Sequence, residues 1–77
     1  MLINYIKQVL MEMSIKEKTR QQIANITNLS PPTVYKALQT LINLGLVYKV
    51  KVGTYPYYYK VTMRGEKMQD LVKEMGR

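Results

Sequence analysis

The chain has 77 residues, 47% hydrophobic and 22% charged, with a formal charge of +7 and neither cysteine nor histidine. That length holds one domain around one small core, burying roughly 60% of the unfolded surface, and the composition is too apolar for a disordered tail. It excludes a disulfide-stapled scaffold, and Lys7 and Glu12 interrupt the apolar opening segment before it could span a bilayer.

In residues 2–13, Leu2, Ile3, Tyr5, Ile6, Val9, Leu10 and Met13 fall on one side of a helix. Their stripe is about 160° wide, broader than the usual one-sided minimum. So wide a face suits two neighbours, one of them a second copy of the chain, or a helix sunk deep in its own core; both remain open. A leader peptide is not expected, since residues 1–20 lack its cationic start, uncharged run and cleavage site, and residue 1 reads as the natural start.

Residues 14–18 are short and polar, a connector or a brief strand. Thr19 and Gln22 have the spacing of a capping box, so a second helix starts there and turns Ile23, Ala24 and Ile26 inward. It ends near Thr27 and Asn28, where asparagine tolerates the left-handed conformation. Ser30 caps a third helix led by Pro31 and running to about residue 44, with Val34, Ala37, Leu38, Leu41 and Leu44 on one face. Gly45 stops it.

Residues 46–52 and 57–62 alternate as two strands around the turn Gly53-Thr54-Tyr55-Pro56, with Tyr57 and Tyr59 expected to be more buried than Tyr58. Thr62 then caps a last helix, 63–75, with Met68, Leu71, Val72 and Met75 at apolar spacing and Gly65 as a slight weakness. The expected fold is α+β, mainly α: three core helices, a two-stranded hairpin and a C-terminal helix, all in one domain over 1–77.

Placement of charge is more informative than its sum. Residues 1–17 and 66–77 each sum to zero, so the excess lies in residues 18–65, which hold seven cations and no acid. A polyanion is the natural partner of such a segment, because each neutralised phosphate releases condensed counterions. Catalysis has little to work with, since serine occurs only at Ser14 and Ser30 and carboxylates only in the terminal segments. Glu66, Asp70 and Glu74 share a helical face, but Lys67 and Lys73 beside them make it a solvated charged face, and no metal, cofactor or small-molecule ligand is expected.

Helix, connector, helix, tight turn, helix, hairpin, helix is the order of a winged helix-turn-helix. The run Thr19 to Val47 resembles MarR-type and related archaeal and bacterial winged-helix regulators at Ile23, Ala24, Leu29, Ser30, Thr33, Val34, Leu38, Leu41, Gly45, Leu46 and Val47. Tyr59 to Gly65 resembles the exit from their wing. Two departures are Asn28, where the family usually has glycine, and a short wing without the longer acidic and arginine-rich loop. The resemblance implies a cytoplasmic, non-enzymatic transcriptional regulator, a homodimer that binds double-stranded DNA in a sequence-specific way. An architectural DNA-binding protein and a protein-interaction module are the alternatives.

The residues expected to meet DNA follow from groove geometry, because the N-terminal turns of a helix come closest to base edges. Pro32, Thr33, Tyr35, Lys36 and Gln39 are the candidates on the third helix, with Arg20 and Ser30 beside them. Gln39 suits adenine, Lys36 guanine or a phosphate, and Thr33 or Tyr35 a phosphate oxygen; Pro32 reads mainly as a helix starter. Lys49, Lys51 and Lys60 on the hairpin are expected to grip phosphates, and Gly53 and Tyr55 near its tip to reach a minor groove or the backbone, with strand lysines that merely discourage edge pairing as the bland alternative. Leu2, Tyr5, Ile6, Val9, Leu71 and Met75 are the expected dimer interface.

Overall fold

A computed structural model describes residues 3–50 and 55–76. The order is α1 (Asn4–Glu12), β1 (Lys18–Thr19), α2 (Arg20–Thr27), α3 (Pro31–Asn43), β2 (Val47–Val50), β3 (Tyr58–Val61) and α4 (Met63–Met75). The winged helix-turn-helix layout is present, with one extension. The short segment before α2 contributes β1, which pairs antiparallel with β3, so the sheet has three strands in the order β1-β3-β2.

Local chemistry explains where the helices begin and end. The Thr19 hydroxyl accepts from the Gln22 N–H at 3.1 Å while the Gln22 side chain accepts from the Thr19 N–H at 2.8 Å, completing the capping box of α2. Asn28 closes α2 at φ 62°, the left-handed conformation that turns the chain toward α3. Pro31 leads α3, whose far end is a Schellman motif: Gly45, at φ 76°, donates to Ile42 O and Leu46 donates to Leu41 O.

The core lies between α1, α2, α3 and the inner face of the sheet, where Val9, Leu10, Ile23, Val34, Leu38, Leu41 and Val47 are fully buried. Two inward expectations are corrected. Ile26 is 51% exposed because it lies about 110° around α2 from the midpoint of Ile23 and Ala24. Leu44 is exposed because it sits at the C-cap of α3, and Leu46, just beyond the glycine, is buried in its stead.

One knot of contacts joins the end of α3 to the start of α4. The Thr62 hydroxyl donates to Gly45 O at 2.7 Å and accepts from the Gly65 N–H at 3.0 Å, while the Thr62 N–H donates to Leu46 O at 3.0 Å. Gly65 is buried, and a Cβ there would overlap the Leu46 carbonyl and the Val61 side chain. This glycine is therefore a close-approach residue, not merely a weak helix former. The Gln69 amide then donates to Leu10 O and Met13 O, both at 2.7 Å, supplying partners to carbonyls at the end of α1. Beyond that point α4 leaves the body, and Leu71 and Met75 are exposed.

Gly65→Ala is expected to destabilise the domain by about 2–3 kcal/mol, a fall of roughly 10–20 °C in Tm. Gln69→Leu should cost about 1–2 kcal/mol, because two carbonyls lose their donor. Thermal melts of both variants check this, and an unchanged Tm for Gly65→Ala would contradict the packing at Leu46.

Candidate nucleic-acid interface

The first turns of α3 present Pro32, Tyr35 and Lys36 to solvent, with Thr33, Gln39 and Thr40 half-buried beside them. Ser30 holds the N-cap position but makes no side-chain bond to the helix backbone; its hydroxyl pairs instead with the Thr33 hydroxyl at 2.8 Å. Arg20, the first residue of α2, places its guanidinium carbon 5.1 Å from the centroid of the Tyr35 ring. The two candidates therefore form one unit, a cation over an aromatic face.

Strand register determines what the wing adds. Val47 pairs with Val61, Tyr48 with Lys60 and Lys49 with Tyr59. Paired residues of antiparallel strands point to the same side, so Lys49 shares the inner, α3-facing side with Tyr57, Tyr59 and Val61. Its ammonium lies 4.4 Å from the centroid of the Tyr57 ring. Lys60 points to the opposite side with Tyr48 and Tyr58, so it does not join the surface that Lys49 shares with α3. Lys51 and Gly53 lie outside the described residues.

Between these elements runs an open cleft of about 540 Å³. Thr19, Arg20 and Gln21 of the α2 start, Pro31, Pro32 and Tyr35 of α3, and Tyr55, Pro56, Tyr57 and Tyr59 of the wing line it. Tyr55 and Tyr57 meet edge to face, with centroids 6.1 Å apart and planes at 89°. Tyr59 is buried, and burial pushes its phenol up from the ordinary value, with the Arg20 charge opposing. It therefore keeps its proton at neutral pH.

Tyr57 corrects an expectation, since it is 39% exposed and Tyr58 only partly so. It lies on the inner side like Tyr59 but beyond the rim of the core, where it becomes a wall of the cleft. Pro56, Tyr57 and Gln21 were not among the expected site residues; alternation from Tyr59 back to Tyr57 was the signal available for one of them.

The expected dimer residues separate. Ile6 and Val9 are 5% and 0% exposed within the chain's own core, so neither is available to a second copy. Tyr5 packs partly against that core, and Leu2 lies outside the described residues. Leu71 and Met75 on α4 are exposed, as is Ile3 ahead of α1. Among the described residues no helix is long and apolar enough to cross a membrane, and no group of three or more acidic residues is arranged to hold a metal.

A family model described as the sugar-specific transcriptional regulator TrmB matches residues 8–64. The chain belongs to the TrmB family. No curated protein matches it by sequence. Among solved structures it is similar to a mutant of MepR from S. aureus (23% identity, TM-score 0.85, 96% of this chain and 58% of that one). It is also similar to the adhesin competence repressor AdcR from Streptococcus pyogenes (22%, 0.84, 97% and 56%). A third is a C30S mutant of ZitR from Lactococcus lactis in complex with DNA (21%, 0.79, 91% and 49%). At these identities the likeness is one of fold: the MarR-type winged helix that the Thr19 to Val47 run resembles. The chain spans about half the length of the structures it matches.

A double-mutant cycle on Arg20→Gln and Tyr35→Leu, read by urea denaturation, should give a coupling of about 0.5–1 kcal/mol. Zero coupling would mean that the cation and the ring do not meet in solution.

Proposed function

We propose that this winged-helix domain of a transcriptional-regulator family binds double-stranded DNA in a sequence-specific manner. In this reading the first turns of α3 enter the major groove and Lys49 meets the adjacent backbone. The observation that carries it is convergence: Arg20 and Tyr35 line the cleft on one side and Tyr57, with Lys49 over its ring, lines it on the other, in a stretch of 48 residues without an acid. No carboxylate within that stretch repels an approaching phosphate. Lys36 and Gln39 read base edges, while Arg20, Thr33 and Lys49 position the backbone.

The protein acts as a homodimer, pairing through the distal half of α4, where Leu71 and Met75 are exposed. Two copies then place their α3 helices in successive major grooves, with half-sites about 10–10.5 bp apart or a multiple of that. It works in the cytoplasm, as a binding protein without catalysis.

Titrations of random and selected duplexes at two salt concentrations test this reading. Lys36→Ala should weaken selected sites by roughly 5- to 150-fold and random duplex far less, the discrimination a good base contact supplies. Lys49→Ala should weaken both alike and lower the salt slope by about one. A parent that binds every duplex with one uniform, salt-dependent affinity would instead be an architectural protein.

A further inference from the structure

We infer that the cleft between Tyr35 and the wing is a stacking slot for one unpaired base, so that the domain prefers DNA carrying an extruded nucleotide over an uninterrupted duplex. This goes beyond groove reading, and it rests on this side of the domain being the nucleic-acid interface.

Three tyrosines stand around the cleft and are exposed: Tyr55 at 70%, Tyr35 at 44% with Arg20 over its ring, and Tyr57 at 39% with Lys49 over its ring. In an intact duplex a tyrosine meets phosphates, sugars and thymine methyls, because the bases are covered by their neighbours and offer only edges in the grooves; ring-on-ring stacking needs a base that has left the stack. Tyr55 and Tyr57 stand at 89° to each other, so a flat ring laid on one receives the edge of the other, both favourable aromatic geometries. At about 540 Å³ the open cleft falls in the volume range of ordinary small-molecule sites.

The surrounding charge selects a nucleotide over a neutral aromatic compound. Arg20 lies over Tyr35 on one side and Lys49 over Tyr57 on the other, so cations flank the slot where the phosphates on either side of an extruded base would run. No acidic residue lies anywhere in 18–65. Aromatic faces beside a cationic track are the combination that holds single-stranded nucleic acid.

The test uses the full chain and three DNAs built on one selected site: fully paired, with a single 2-aminopurine bulge, and with an abasic bulge at that position. The 2-aminopurine bulge should bind roughly tenfold tighter than the paired duplex, with its fluorescence quenched on binding; the abasic bulge should lose most of that gain. Tyr55→Ala and Tyr57→Ala should each collapse the ratio of bulged to paired affinity toward one, whereas Lys36→Ala lowers both affinities and keeps the ratio. Equal binding of base-bearing and abasic bulges, or a ratio that survives loss of both tyrosines, overturns the inference while duplex binding stands. Failure of the parent chain to bind any of the three overturns both readings together.

Discussion

Thr62 ties the chain leaving α3 to the start of α4. Its hydroxyl bonds the Gly45 carbonyl and the Gly65 N–H, and its own N–H bonds the Leu46 carbonyl. Because Gly65 carries no side chain, the start of α4 can press against the strand leaving α3 at that same point. The wing therefore departs from and returns to a single fixed root at the end of α3. Its angle to that helix is set by hydrogen bonds and contact at the root, and the cleft owes its shape to that angle.

From that root the pleat of the sheet does the sorting. Every second residue of β3 turns to the core side, so Tyr59 and Val61 close the core and Tyr57, one step further out, overhangs its rim. Register then brings Lys49 to the same side and turns Lys60 away. On the other flank the capping box starts α2 at Arg20, which brings the guanidinium onto Tyr35. Two cation-aromatic contacts thus border one concave surface, while the acidic residues lie in the terminal segments. Among the described residues no buried side-chain polar atom lacks a partner.

Much of this was legible before any coordinates. The Thr19-Gln22 spacing, Asn28, the Pro31 start, the Gly45 stop and the Thr62 cap are local signals with local causes, and each marks the boundary it should. What escaped depends on contacts distant in sequence. Gln69 reaches α1 across 56–59 residues, and its role has no local signature. Gly65 looked like a weak helix residue because the Leu46 carbonyl that excludes a side chain lies in another element. Burial of Ile6 and Val9 could not be separated from pairing with a second copy, since one apolar stripe serves both. The Lys49 and Lys60 assignment needed the register, which composition does not contain.

If the first turns of α3 and the inner side of the wing form one DNA-facing surface, a titration of isotopically labelled protein with a short duplex, followed by backbone amide chemical shifts, will map it. The largest changes should fall at residues 31–39, 49 and 55–59 and at Arg20, with little change in the distal half of α4. Changes concentrated on α4 and α1, with α3 and the wing silent, would contradict it.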